Sequence, residues 1–410
     1  MTTQPFDFGP LLARNLPPAA AKYTGFPRYN FVGGHNDAAS VPVDRLIAAA
    51  TSVLRREGRT LATYGLESGP QGYRPLRQFL TAKLARHAGI ATTPDEILIT
   101  SGSLQGLDLV NQVLLERGDT VIVEEDNYGG ALGRLKRLGV DMVAVPLDGG
   151  GMRMDRLAAA LEDLQRRGIR AKYIYTIPTV QNPTASIMDA ARRAEFVALA
   201  EAYGVAIFED ECYSDLIWNG RRPPALYALA GSRNVIHIGS FSKSIAPALR
   251  TGYIVAPWPI LARILACKTD AGSAALEQMV LAEYCGEHFD AHVDELNRVL
   301  QTKLDILIEA VAENFGTTAE FERPPGGIFL WLRLPDAVDT TVLAQKALAA
   351  GVAINPGAEW SASVERGRRR LRICFAAPSP ADLREGVALL AEICRREFGV
   401  PTRIANVDRA

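Results

Sequence analysis

Short apolar runs and helical patterns alternate along the middle of this chain, and that alternation restricts its fold more than any other feature. Aliphatic and β-branched stretches recur at 96–100, 120–123, 141–145, 171–176, 205–208, 235–238 and 253–255. Between them, apolar residues at helical spacing run from the turn after Thr100 to Leu115, and onward from Ala131, Met154 and Ala190. Strands that are apolar throughout need cover on both faces, and strands separated by helices pair in parallel. The expected class is therefore α/β, with a mostly parallel sheet covered by helices.

The flanks differ from this middle. Segments 42–56 and 74–87 read as helices, with a glycine-punctuated loop from Tyr64 to Tyr73 between them. After Pro257 and Pro259 come long alanine- and leucine-rich helices to about Phe315, strongly periodic over 293–311. Strands are expected at 327–334, 352–354 and 371–375, with helices at 340–350 and through Cys394, which predicts a smaller α+β unit. The first forty or so residues hold Pro5, Pro10, Pro17, Pro18 and Pro27 among Tyr23, Phe26, Tyr29 and Phe31. A disordered tail is poorer in aromatics, so this segment is expected to wrap over another surface. The expected division is an N-terminal covering segment over 1–45, a large domain over 46–285 and a small domain over 286–410.

Composition removes several classes of function. The 410 residues carry 45 Lys and Arg against 46 Asp and Glu, a net charge of -1, so neither a nucleic-acid surface nor a polybasic membrane patch is expected. The opening Met1-Thr2-Thr3-Gln4-Pro5-Phe6-Asp7 lacks the basic and apolar regions of a signal peptide, and no apolar run is long enough to span a bilayer. Cys212, Cys267, Cys285, Cys374 and Cys394 are scattered and odd in number, which reads as reduced thiols in a cytoplasmic protein. His288 and His292 are four apart, but the acidic partner of a zinc-protease helix is missing, so no metal is expected.

Candidate chemistry gathers at predicted strand ends, where open α/β sheets bind ligands. Ser240-Phe241-Ser242-Lys243-Ser244 follows the run 235–238, with Arg250 beyond it. Burial lowers a lysine pKa, a neutral amine can condense with an aldehyde, and Arg250 can hold a phosphate on the same molecule. Gly102, Ser103, Leu104 and Gln105 open a helix, where free N–H groups suit phosphate; a plainly capped helix start is the alternative. Asp210 follows the run 205–208, where a carboxylate needs a proton or a cation. A protonated ring nitrogen would meet that need, with Tyr213 in reach of the same ring, unless Asp210 caps a helix. Asn182, before Pro183, either shapes a turn or donates to a phenolic oxygen. Tyr128 is either a stacking plate for a heteroaromatic ring or a core residue. Arg372 suits a planar carboxylate, but Arg370 has the same strand phase, and alternation does not choose between them.

In this order the pieces resemble the class I and II aminotransferases, pyridoxal-phosphate enzymes of fold type I. The subgroup they look most like holds the 2-aminoadipate and kynurenine aminotransferases and the enzyme-like domain of MocR-type regulators. The resemblance covers about residues 30 to 395. It is carried by Tyr64-Gly65 to Gly72-Tyr73-Arg74-Pro75-Leu76-Arg77, by Thr100 to Leu109, and by Asn182-Pro183-Thr184. Asp210 with Tyr213, Gly239 to Lys243, Leu249 to Tyr253, Pro325 to Trp331 and Arg372 complete it.

The resemblance implies a mostly parallel seven-stranded sheet with a smaller α+β domain, pyridoxal 5'-phosphate as cofactor, and a ping-pong exchange of an amino group between an L-amino acid and a 2-oxo acid. Lys243 would form the internal aldimine and carry the proton, Asp210 would keep the pyridine nitrogen protonated, and Asn182 and Tyr213 would bind the phenolic oxygen. Tyr128 would stack on the ring, and the loop from Gly102 to Gln105 with Ser240, Ser242 and Arg250 would form or support the phosphate site. Arg372, Asn182 and the backbone around Gly34 would take the substrate carboxylate. Tyr64 would reach the phosphate of a neighbouring subunit, which implies a homodimer with shared sites.

There are two departures from the family pattern, and the first bears on the substrate. His35-Asn36-Asp37 stands where the family usually has a proline, and Asp126-Asn127-Tyr128 where it often has Pro-Thr-Tyr or Pro-Ser-Tyr. His35 and Asn36 are either contacts to a polar side chain or turn residues, and Arg28 is a candidate for a distal carboxylate. A lyase, cyclase, decarboxylase or oxidase using the same lysine is the alternative activity. A regulator is not expected, because a DNA-binding domain would precede the enzyme-like part and only about thirty residues precede Gly33.

Overall fold

A computed structural model describes residues 6–13, 16–17, 19–218, 222–231 and 233–401. Pro5 and Pro18, and residues 402–410 of the expected small domain, lie outside the described residues.

The alternation expected from the sequence forms one sheet of seven strands: β1 (Ile97–Thr100), β2 (Thr120–Glu124), β3 (Asp141–Val145), β4 (Ala171–Thr176), β5 (Ala206–Asp210), β6 (Val235–Ser240) and β7 (Gly252–Val255). Their order is β1-β7-β6-β5-β4-β2-β3, parallel except for β7, which runs antiparallel to both neighbours. Successive residues of β2 show why apolar runs were needed. Val121 and Val123 join the core on one face and Ile122 joins the core on the other, all fully buried. Each such side chain contributes about 1.5–3 kcal/mol relative to exposure. Helices Arg74–Ala88, Met154–Arg166 and Ala190–Ala202 cover one face; Ser103–Leu114, Gly129–Leu138 and Trp258–Cys267 cover the other.

This topology gathers the carboxyl ends of β1, β2, β4, β5 and β6 and the start of β7 at one edge; Gly252 is in register with both Thr100 and Ser240. The smaller sheet is antiparallel, with Arg370–Cys374 between Phe329–Arg333 and Asn355–Pro356. Here Phe329–Arg333 starts two residues later and ends one earlier than the expected 327–334, Arg370–Cys374 is shifted by one residue from the expected 371–375, and Asn355–Pro356 is a strand the sequence reading did not contain.

Helix Ala275–Phe315 ends where expected, but is one continuous element of 41 residues. The expected 285/286 boundary falls inside it. Met279 to Phe289 pack in the core beside the main sheet, and Leu296 to Phe315 in the core of the smaller unit. The N-terminal segment wraps as expected from Tyr29 onward: Tyr29–Asn30 pairs in parallel with Val352–Ala353, and Phe31 O accepts from Cys374 N at 2.9 Å. That pairing brings Gly33 and Gly34 over the carboxyl edge of the main sheet.

Candidate active site

The turn after β6 is built to hold one lysine. Ser242 N donates to Ser240 Oγ at 3.0 Å, and Phe241 N to the Thr251 carbonyl at 3.1 Å. Asn36 Nδ2 donates to the carbonyls of Lys243 (3.3 Å) and Ile245 (3.2 Å), while His292 Nε2 donates to that of Ser244 (2.8 Å). Three successive carbonyls are thus satisfied by side chains, which fixes the backbone under Lys243. Its amine donates to the Gly34 carbonyl at 2.7 Å, and burial lowers its pKa to about 8. A Cβ at Gly34 would run into Lys243 Nζ. Arg250 closes the turn in the left-handed conformation (φ +47°), a strain that structures tend to keep at functional sites.

Beside it, the end of β5 and the residue after it carry three buried carboxylates in different circumstances. Glu209 meets His237 Nδ1 at 2.8 Å and the N–H of Leu226 at 2.6 Å. Glu211 lies 3.3 Å from Arg222 and 3.5 Å from Arg193, and accepts from Thr179 Oγ1 at 2.7 Å. Asp210, between them, has only neutral donors among the described residues: Tyr175 OH at 2.7 Å and Cys212 N at 3.2 Å. Burial raises its pKa against the pull of those bonds. It is the last residue of the strand and leads into a turn, so it caps no helix.

The facing wall belongs to the smaller sheet. Arg372 Nη1 donates to Asn182 Oδ1 at 2.8 Å and Nη2 to the Gly33 carbonyl at 3.2 Å, leaving its buried Nε without a partner among the described residues. The guanidinium lies 3.6 Å from the Trp360 ring centre and 5.3 Å from that of Phe329. Asn182 Nδ2 donates to Tyr213 OH at 3.4 Å, and Tyr128 lies 5.7 Å from Trp360, ring centre to ring centre. Arg370, of the same phase, faces an adjoining cleft and the ring of Trp331 instead. Register with Asn355 and contact with Trp360 make the choice that alternation left open.

These groups line one cleft of about 290 Å³, at the lower end of ligand-pocket size. Of the residues expected from the sequence, Gly34, Ser103, Leu104, Tyr128, Asn182, Asp210, Tyr213, Ser240, Ser242, Lys243, Arg250 and Arg372 line it. Gly102 lies just behind, capping helix Ser103–Leu114 at φ +77°, where a Cβ would strike the Arg250 guanidinium. Gln105 turns away: its amide accepts from Ser101 N at 2.8 Å and donates to Asp270 at 2.6 Å. Tyr64 is 87% exposed and does not line the cleft of its own chain.

Arg28 is committed elsewhere, to Glu385 at 2.9 Å, and Asn36 is absorbed by the lysine turn. His35 packs edge-on against Phe26. Trp360, Asn355, Ile177, Leu107 and Cys212 line the cleft without having been singled out from the sequence. For Cys212 the signal was its place between Asp210 and Tyr213; Trp360 had none, because it reaches the site from a loop remote in sequence.

The residues fit a planar heteroaromatic phosphate. Asp210 is a buried carboxylate that meets no cation among the described residues, Gly102 at the start of helix Ser103–Leu114 abuts Arg250, and the Lys243 amine and Arg372 line the same cleft.

Comparison with known proteins agrees. The family model described as aminotransferase class I and II matches residues 32–390. The aromatic-amino-acid aminotransferase 1 of Thermococcus litoralis is 31% identical over 90% of this chain and 88% of its own. The α-aminoadipate aminotransferase LysN of Thermus thermophilus, solved with N-(5'-phosphopyridoxyl)-L-leucine, is 30% identical, with a TM-score of 0.82 over 90% of this chain and 93% of its own. A multiple substrate aminotransferase of Thermococcus profundus is 28% identical, with a TM-score of 0.88 over 96% of this chain and 100% of its own. With the cleft and these matches together, the chain belongs to the class I and II aminotransferases, and it is a transaminase that uses pyridoxal 5'-phosphate.

Proposed function

We propose that the residues of this cleft divide the work of transamination as follows. Bound there, pyridoxal phosphate supplies an aldehyde carbon and a ring that draws electron density from the substrate Cα. Lys243, its amine partly neutral near pH 8, holds the aldehyde and later moves the proton at Cα. Asp210 holds a proton on the ring nitrogen. Ser103, Ser240, Ser242 and Arg250, with the backbone from Gly102 to Leu104, bind the phosphate; Gln105 supports that loop through Ser101. Tyr213 and Asn182 bind the phenolic oxygen, Tyr128 stacks on the ring, and Arg372, Asn182 and the backbone at Gly34 orient the substrate carboxylate.

The observation that carries this reading is Asp210 itself. Its neighbours Glu209 and Glu211 each meet a cationic or ionisable basic group, whereas Asp210 meets neutral donors alone among the described residues. A buried carboxylate so placed calls for a cation from a ligand.

The reading extends to a homodimer with shared sites, in which Tyr64 serves the neighbouring subunit. Its exposure supports this, as do the exposed Val43, Ile47, Leu54 and Leu61 nearby in sequence. It also includes the division 1–45, 46–285 and 286–410, supported by the two separate cores along helix Ala275–Phe315. A cytoplasmic location is supported by five free thiols.

The test mixes the loaded protein in stoichiometric amount with a panel of L-amino acids and identifies products by mass. Pyridoxamine phosphate and the matching 2-oxo acid should appear in equal amounts. A different carbon product, with the cofactor returning to its aldehyde, would sink the proposal.

A further inference from the structure

Glu124 ends β2 and is almost fully buried, yet it does not line the cleft. Its two oxygens accept four hydrogen bonds. Oε1 accepts from Thr176 Oγ1 at 2.6 Å and Ile177 N at 3.2 Å; Oε2 accepts from Gln181 Nε2 at 2.9 Å and Asn127 Nδ2 at 3.2 Å. All four partners are neutral donors; their bonds pull the Glu124 pKa down, but burial is the larger effect and raises it to about 7.

What those donors do next gives the arrangement its meaning. Asn127 Oδ1 accepts from Tyr128 N at 2.6 Å, which fixes the residue that forms one side of the cleft. Gln181 Nε2 also donates to the Asp126 carbonyl at 2.7 Å, and its Oε1 accepts from Thr184 N (2.9 Å) and Thr184 Oγ1 (2.8 Å). Those bonds close the turn that carries Asn182, between Val180 and Ala185, both of which have positive φ (54° and 61°). Ile177, held through its N–H, lines the cleft as well. One carboxylate thus ties together the ends of two strands and two loops, and three parts of the cleft wall hang from it.

We infer that Glu124 is a positioning residue for the transaminase site, setting Tyr128 and, through Gln181, Asn182 as one rigid unit beneath cofactor and substrate. The inference rests on the proposed roles of those two residues. Four converging donors require an acceptor at every position; a glutamine at 124 would turn an N–H₂ toward two of them. The Asn182 amide would lose its fixed aim at Arg372 and Tyr213, and displaced positioning groups weaken the binding of the cofactor and substrate they orient.

The test compares the holoenzyme with Glu124→Gln, Gln181→Met and the double variant, measuring pyridoxal phosphate affinity by absorbance titration and steady-state kinetics with the best donor from the panel. Glu124→Gln is expected to raise KM and the cofactor Kd about tenfold each, with kcat changing less than threefold. Gln181→Met should raise KM similarly, and the double variant should be no worse in KM than the worse single, because both act through one contact. If Glu124→Gln does not fold, Gln181→Met carries the test. A KM within twofold of wild type in the folded singles, or multiplying effects in the double, would overturn the inference. Wild-type protein that binds no pyridoxal phosphate would instead overturn the reading of the cleft, and the inference with it.

Discussion

The Lys243 amine donates to the Gly34 carbonyl across 2.7 Å, joining the turn after β6 to the N-terminal segment. Because Gly34 lies directly over Nζ, any side chain there must displace the lysine. Gly34→Ala is expected to lower kcat/KM by about 100-fold, the scale of an ångström-level misplacement. The thermal midpoint should stay within a few degrees of wild type. Retained activity would show that the segment lifts freely from the lysine.

The partly buried position of Lys243 sets a pH dependence. Desolvation disfavours its cation, so the reactive neutral amine is scarce below about pH 8 and predominant above it. The rate of cofactor loading into apo protein is expected to rise about tenfold per pH unit below that point and to level off above it. An exposed lysine would keep rising toward pH 10, and rapid-mixing absorbance over pH 6.5–9.5 separates the two.

Asp210→Asn keeps an acceptor for Tyr175 while deleting the charge. Turnover should fall by at least about 100-fold, comparable with loss of a preorganised electrostatic group. The apo protein should be no less stable than wild type, because a buried carboxylate without a cation is costly to fold around. Calorimetry of apo protein checks the second expectation independently of activity.

Arg372 and Arg370 should separate cleanly. Arg372→Lys loses the planar fork, and KM for the amino acid is expected to rise by about 10–100-fold with little change in cofactor affinity. Arg370→Ala, at a residue facing the Trp331 cleft, should leave KM within about twofold. Equal effects in the two variants would contradict the assignment.

Shared sites can be tested by mixing. Tyr64→Ala and Lys243→Ala subunits, each inactive or nearly so, should form mixed dimers holding one intact site. Random pairing restores about one quarter of wild-type activity in a two-fold dimer. No recovery, although light scattering shows dimers that exchange subunits, would show that Tyr64 does not serve the neighbouring subunit's site.

Much of this molecule was written locally. A buried parallel strand must be apolar along its length, so the seven strand positions could be read to within two residues at either end, and the residues at their carboxyl ends came with them. Asp210 was legible because it is a polar residue at the end of an apolar run, where no core would tolerate it without a partner, and Lys243 and Arg250 because they sit in the turn between two apolar runs. Gln105 supports the loop beside it rather than lining the cleft, and Arg28, the candidate for a distal carboxylate, has its own acid in Glu385.

Local pattern specifies which face a side chain lies on, but not what stands opposite. Arg370 and Arg372 are equivalent by periodicity; only the pairing of Asn355 with Arg372, and the loop that brings Trp360 under its guanidinium, distinguish them. Glu124 could be read as the end of a strand, but its role as a common acceptor depends on Thr176, Ile177, Gln181 and Asn127 meeting in space. The sequence by itself determined the alternation, the strand ends and the kinds of group available there, because burial and backbone hydrogen bonding act over a few residues. Which of those groups meet was decided by the tertiary structure, because hydrogen bonds and ion pairs act over about 3 Å between residues that chain order leaves far apart.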